Sequence, residues 1–263
     1  VVTSKLSRPK PLFSLWHGKG RLRFGINLAL SSLNHHRRTA IKTKILALLV
    51  LTASSTLPVD AQVVFSNDFA SGFTNGNLIG QNGWTQTGAA TNVPLTVSGG
   101  TAVLPSGATG QDGWNPLSSL VATTNAGDYL LSTIVFTLTN AANATGDYFF
   151  HLSSPTNTVS NFFQRLYSRS NTTGFQLGVG AQSAPGAYGT TVLNLNTQYT
   201  AVIKWDFLAG ASNDVMTLYI NPTNLIITNN TPYSSTTWAV AEPTNLAAVN
   251  FRIGGSTTTP GLT

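Results

Sequence analysis

Between Thr145 and Leu208 apolar and polar residues alternate with a period of two along several stretches. Tyr148, Phe150 and Leu152 alternate with Phe149, His151 and Ser153, and Leu166 stands between Arg165 and Tyr167. Phe175, Leu177 and Val179 skip over Gln176 and Gly178. Tyr199, Ala201, Ile203, Trp205 and Phe207 alternate with Thr200, Val202, Lys204 and Asp206. Successive side chains of a strand point to opposite faces, so this pattern predicts strands. Consecutive strands usually neighbour one another, which gives one dry face and one polar-aromatic face. The second face would carry Phe149, His151, Arg165, Tyr167, Arg169, Gln176, Lys204 and Asp206. Burying Leu166 sends Arg165, Tyr167 and Arg169 outward, about 7 Å from one to the next. A one-residue slip would bury two arginines instead.

The rest of the chain reads in the same way. Val63-Val64-Phe65 with Asp68-Phe69 predicts a first strand running into a turn, and a loop rich in Gly and Asn then leads to Trp84. Short strands fit Leu95–Val97 and Ala102–Leu104, on either side of Gly99-Gly100. A second glycine-rich loop carries Trp114 and Pro116, and Tyr129 to Leu138 is the longest strand candidate. Ala209 to Asp214 is a turn joining Tyr199–Leu208 to Val215–Ile220 in a hairpin, which Asn221-Pro222 ends. Leu246 to Ile253 alternates once more, with Val249, Phe251 and Ile253 inward. There is no long amphipathic helix and no fixed-period repeat. Roughly ten or more short strands with polar turns point to an all-β sandwich or barrel.

The first 61 residues differ in character. Residues 1–33 are basic, show no sustained period, and are set aside from the fold. Residues 34–61 read as a signal peptide: Arg37, Arg38, Lys42 and Lys44, then apolar Ile45 to Leu51, then Val59-Asp60-Ala61 with small residues where a peptidase reads. Cleavage is expected after Ala61, leaving residues 62–263 as a β-sandwich domain that is secreted or at the cell surface. The apolar run is too short and too rich in Thr and Ser to span a bilayer, so no membrane insertion is expected of the mature form.

Charge follows the same division. The formal net charge is +6, but ten of the fourteen Lys and Arg residues fall in the first 61 positions. The remaining 202 residues carry four basic and seven acidic side chains, a net of −3. The basic balance is therefore no argument for nucleic acid. The chain has no cysteine, which excludes disulfides, thiolate metal sites and cysteine nucleophiles.

The chain resembles the concanavalin A-like lectin/glucanase superfamily, in particular laminin-G-like secreted modules. The resemblance rests on Val64-Phe65-Ser66-Asn67-Asp68-Phe69, Gly83-Trp84, Gly146-Asp147-Tyr148-Phe149-Phe150, and the strand-turn-strand from Tyr199 to Pro222 with Leu218-Tyr219-Ile220-Asn221. It covers residues 63 to 253. It implies a two-sheet antiparallel β-sandwich, a jelly roll, with sugars or partner proteins bound on the concave side or its rim. Such modules close with a strand beside the first one. Here Gly254 to Thr263 reads as the loop before that strand, so the sandwich is expected to lack its closing strand.

Candidate chemistry is sparse. Glycosidases need two carboxylates across the scissile bond, whereas residues 62–263 hold one glutamate, Glu242, and one acid in mid-strand, Asp206. Lyases of the resembled superfamily use a His, Tyr, Arg and Gln group, and His151, Arg165, Tyr167, Arg169, Gln176 and Lys204 have that chemistry. The bland alternative is a solvated sheet face with long side chains over apolar area. His151 has no second His or Cys in the mature chain to share a metal. No cofactor is expected beyond a structural calcium, for which Asp68 is a candidate ligand, the stronger reading of Asp68 being a turn former. Trp84, Trp114 and Trp238, placed in loops, either stack on sugars or plug the core. The expected function is a non-catalytic carbohydrate-binding or adhesion module with a polysaccharide or glycan partner on the His151–Lys204 face. The alternatives are a polysaccharide lyase acting on acidic polysaccharide and a structural spacer.

Overall fold

The computed structural model describes residues 13–19, 62–87, 93–106, 110–154, 162–182, 186–224, 226–253 and 260–263. The first strands are β1 (Phe13–Lys19), β2 (Gln62–Asn67), β3 (Gly76–Asn77), β4 (Thr85–Thr87), β5 (Thr96–Ser98) and β6 (Thr101–Val103). Then come β7 (Asp112–Ala122), β8 (Asp128–Asn140), β9 (Asp147–Ser153), β10 (Phe162–Asn171), β11 (Gly174–Gly180) and β12 (Ala187–Tyr188). The last are β13 (Gln198–Asp206), β14 (Val215–Ile220), β15 (Ser234–Thr237), β16 (Asn245–Phe251) and β17 (Gly261–Leu262). One 3-10 turn, Ile227–Asn229, interrupts them.

The strands form two seven-stranded sheets and a small third one. The first runs β15-β14-β13-β8-β1-β2, with β17 also on β8. The second runs β12-β11-β10-β9-β16-β7-β4, and β3-β5-β6 form the third. Every pairing between named strands is antiparallel. The chain folds as an all-β, two-sheet antiparallel sandwich: the alternation predicts a sandwich or barrel, and the resemblance implies the two-sheet form.

The sheets meet through the apolar set of each strand. Leu130, Ile134, Phe136 and Leu138 of β8 are buried at every second position, as are Ala201, Ile203 and Trp205 of β13. Contacts across the layers include Phe136 with Phe149 at 5.7 Å and Phe175 with Tyr199 at 5.9 Å between ring centroids. Trp238 stacks on Trp205 at 4.8 Å and on Phe163 at 5.7 Å, joining β13 to β10. Each such buried side chain contributes about 1.5–3 kcal/mol relative to leaving it in water.

Several placements differ from the sequence reading. Phe13–Lys19, within the segment set aside from the fold, is a strand between β2 and β8. The expected leader, residues 34–61, lies outside the described residues. Within the stretch read as the loop before a closing strand, Gly261 and Leu262 instead form a short strand on β8, while 254–259 lie outside the described residues. Trp114 and Pro116 belong to β7 rather than a loop. The proline is tolerated there because the β7–β16 register shifts between Leu246 and Ala248, the latter opposite Pro116.

Candidate functional site

The second sheet turns toward the first the side chains of Phe149, Leu152, Phe163, Leu166, Leu177 and Val179, all buried. Its other face is fixed by the central strand β10. From Arg165 to Asn171 β10 pairs without interruption with β11, Tyr167 opposite Gly178 and Arg169 opposite Gln176. With Leu166 buried completely, Arg165, Tyr167 and Arg169 point away from the core together, as their spacing predicts.

Upstream the alternation breaks. Gln164 adopts φ +42°, and the β9–β10 register shifts between Phe163 and Leu166 and again between Leu166 and Tyr167. Phe163 meets the core tryptophan Trp238, and the neighbouring Gln164 accepts a hydrogen bond from Ser132 on the first sheet. Such bulges re-aim side chains. In β9 the result reverses the expected faces of two residues. Phe149, assigned to the polar-aromatic face, packs on Phe136 in the core. Tyr148, assigned to the dry face, lies 5.5 Å from Tyr167 and 5.6 Å from His151, ring to ring.

The outer face that results is a field of rings carrying guanidinium groups. Arg165 lies 4.4 Å and Arg252 4.3 Å from the Tyr148 centroid, and Arg169 lies 4.3 Å from that of Tyr188. Arg165 also approaches Phe162 at 5.5 Å and donates to the Tyr167 hydroxyl at 3.4 Å. Arg169 Nε donates to Gln176 Oε1 at 2.9 Å, and Gln176 Nε2 donates to the Thr190 carbonyl at 3.1 Å. Arg252 alone has an acid: its Nη1 is 2.7 Å from Asp147 Oδ1. Among the described residues Arg165 and Arg169 have no carboxylate partner. Tyr188 reaches this position only because residue 146 is glycine. A Cβ at Gly146 would stand 1.9 Å from the Tyr188 hydroxyl, and its φ of +88° disfavours any side chain.

His151 sits beneath this field. It is 2% exposed, its ring is 4.2 Å from that of Phe162, and neither nitrogen has a hydrogen-bond partner among the described residues. Burial, helped by the charges of Arg165 and Arg252, holds its pKa well below the ordinary histidine value, so the imidazole is neutral. Burial pushes the Tyr188 phenol up to about 12 and raises that of Tyr148. Asp112, near Arg252, is raised by burial to about 6.

Five of the six predicted site residues share this face: His151, Arg165, Tyr167, Arg169 and Gln176. Lys204 does not. It lies on β13 of the opposite sheet, ion-paired with Asp206 and 5.3 Å from the Tyr129 ring. Its strand follows β11 and β12 in sequence but pairs with β8 and β14, so sequence neighbourhood misassigned it. Missed by the sequence reading were Tyr148, Phe162, Tyr188, Asn250 and Arg252. The last two were legible, since inward Val249, Phe251 and Ile253 leave Asn250 and Arg252 outward. Tyr188, on a two-residue strand, carried no signal.

Of the candidate tryptophans, Trp84 and Trp238 are buried in the core, Trp84 stacked on Phe251 at 5.0 Å. Trp114 is half-buried and stands opposite Asn250, itself opposite His151. Opposed residues share a face, so Trp114 extends the same outer row. Asp68 forms a turn: its Oδ1 accepts the N–H groups of Ala70 and Ser71, both at 3.0 Å, and these lower its pKa. No group of three or more His, Asp or Glu side chains suited to a metal occurs among the described residues. Glu242 Oε1 accepts the N–H groups of Asn213 and Asp214 and so clamps a loop.

No protein-family model matches the chain. No curated protein matches it. Solved structures do. An alginate lyase of polysaccharide lyase family 7 is 11% identical, covering 67% of this chain and 80% of that one, with a TM-score of 0.40. A seed lectin of Lotus tetragonolobus is 10% identical over 72% of this chain and 94% of that one, with a TM-score of 0.36. A heptameric SAP-like pentraxin of Limulus polyphemus is 13% identical over 51% and 60%, with a TM-score of 0.32. At these identities and TM-scores the likeness is one of sheet architecture alone, and it says nothing about family or chemistry.

Proposed function

We propose that the chain is a secreted, non-catalytic module that binds an acidic polysaccharide on the outer face of the β9–β10–β11–β16 sheet. One observation carries this reading: Arg165 and Arg169 ride on tyrosine rings without an acid partner among the described residues. A guanidinium held against an aromatic ring keeps its donors in place for a carboxylate. Tyr148 and Tyr167 are themselves buried, so stacking surface for a sugar face is left to the partly exposed Phe162, Tyr188 and Trp114. Residues 62–263 carry a net charge of −3, so long-range attraction to a polyanion is not available and the arrangement itself must hold the ligand.

The lyase reading draws on His151, a neutral imidazole beside Tyr148 and Arg165. Proton abstraction needs a base within hydrogen-bond reach of the substrate. His151 is 2% exposed and covered by Phe162, which favours binding over turnover.

The test is affinity electrophoresis through a polyuronate, a sulfated glycan and a neutral glucan, beside an ultraviolet assay for unsaturated uronates. Retardation by the polyuronate, lost in Tyr148→Leu and with no absorbance in any sample, is the expected result. Equal retardation by the neutral glucan, or none by any glycan, would sink the proposal. Absorbance that disappears in His151→Ala would make the protein a lyase.

A further inference from the structure

The two edges of β8 are used differently. Along one edge β13 pairs continuously, from Gln198 opposite Thr137 to Asp206 opposite Tyr129. Along the other, two short strands lie end to end. β17 places Leu262 opposite Leu138, and β1 runs from Phe13 opposite Ile134 to Lys19 opposite Asp128. Both are antiparallel to β8, so they run in the same direction on one line.

Beyond β1 lies β2, which pairs with β1 alone among the strands of its sheet. β2 and β8 are therefore two rails with a lane one strand wide between them, about 9–10 Å from rail to rail. Val64 on one rail and Leu130, Ser132 and Ile134 on the other are buried. Without a strand in the lane, both rails would present unpaired N–H and C=O groups over apolar side chains, the edge that proteins normally cover.

The tether is a poor candidate for what keeps β1 there. The 42 residues from 20 to 61 connect Lys19 to Gln62, and so long a connector constrains its ends only weakly. The ladders are the stronger hold: seven register pairs with β8 and five with β2. Strand addition of this kind takes its affinity from main-chain hydrogen bonds.

β17 points into the same lane. Thr263 and Thr137 exchange N–H···O=C bonds of 3.0 and 2.7 Å, which makes them a directly opposed pair. Phe13 stands opposite Ile134. Only the two β8 positions between, Val135 and Phe136, separate the line of β17 from that of β1.

We infer that the lane between β2 and β8 is a strand-acceptor site. Its occupant is an extended segment with the sequence of Phe13–Lys19, held by ladders on both edges rather than by its covalent link. The same sequence delivered along the line of β17 competes for the lane.

The experiment uses the full chain with a protease recognition sequence inserted between His35 and His36. A second version carries, after Thr263, two spacer residues and a copy of the Phe13–Lys19 sequence. A third has proline in place of the leucine of that copy, which removes a ladder donor. Each is cut, passed over a sizing column and analysed by mass. The N-terminal fragment is expected to stay with the ungrafted chain, to leave the grafted one, and to stay again with the proline graft. Release of the fragment from the ungrafted chain would overturn the inference, as would its retention despite the intact graft.

Discussion

On β13, Lys204 and Asp206 stand two residues apart on the face turned away from the core, and they pair with each other. On β10, Arg165, Tyr167 and Arg169 stand in the same alternation on the outer face of the other sheet, with no acid among them. Both faces therefore show a period-two row of charge over a buried apolar row. The first neutralises its cation within its own strand, and Tyr129 beside it only adds a ring contact at 5.3 Å. The second supports its cations on rings from two other strands, Tyr148 of β9 and Tyr188 of β12, and on Phe162 at the start of β10 itself. Alternation fixes which way a charge points. Whether that charge is free for a ligand depends on the residues that tertiary structure brings beside it.

The largest effect tests whether the two faces rest on one core. Leu166 and Ile203 are both fully buried, one beneath each row. Leu166→Ala and Ile203→Ala are each expected to cost about 2–5 kcal/mol in urea denaturation. A loss in only one of the two would mean that the faces have separate foundations, and differences between them would then reflect local stability.

The next effect concerns charge buried beside the arginine face alone. Asp112 accepts the Ile253 N–H at 2.9 Å and is raised from 3.8 to about 6 by burial, with Arg252 opposing the shift. Its folded-state pKa lies above the unfolded one, so the folded state favours the protonated form. That contribution is present below the unfolded value and is lost as pH rises through the folded one. Stability should fall by up to about 3 kcal/mol between roughly pH 4 and 7 from this group. Asp112→Asn keeps an acceptor for Ile253 and should remove that part of the slope. An unchanged slope in the variant would assign it elsewhere.

These two predictions also mark how far the sequence reaches. Leu166, Ile203 and the alternation of β10, β11 and β13 were legible because a half-buried strand must show its period. The Tyr148–Phe149 reversal was not. It depends on an extra residue in β9 itself, Phe149, where the register with β10 shifts between Leu166 and Tyr167, and no local pattern reports that shift. Lys204 was misplaced for a related reason, since period says which side of its own strand a residue occupies but not which sheet the strand joins. The ring beneath Arg169 comes from Tyr188, whose position depends on the absence of a side chain at Gly146.

A smaller effect separates the two faces by function. A charge-assisted hydrogen bond contributes about 1.5–3 kcal/mol, so Arg165→Gln should weaken binding to a polyuronate by about 10- to 100-fold. Lys204→Gln, on the neutralised face, should leave affinity within about twofold. Titration calorimetry on both variants gives the ratio directly. Equal losses would place Lys204 in the ligand surface after all and merge what the structure holds apart.

The smallest effect is the sharpest for the comparison. Asp206→Asn keeps the shape of the residue and releases Lys204 from its partner. The two side chains are 14% and 31% exposed, and ion pairs so near the surface contribute only about 0–1 kcal/mol. Stability should therefore change by less than about 1 kcal/mol. The variant acquires one further outward cation, Lys204, whose only ring contact is Tyr129 at 5.3 Å. If geometry decides, Asp206→Asn should gain only weak retention on a polyuronate column, and that gain should vanish as salt is raised. Wild-type binding through the ring-supported arginines should decline more slowly over the same salt range, because part of it is stacking and directional hydrogen bonding. Matching salt profiles for a strengthened variant and the wild type would mean that a free cation is sufficient, and that the aromatic field of the second sheet adds nothing to it.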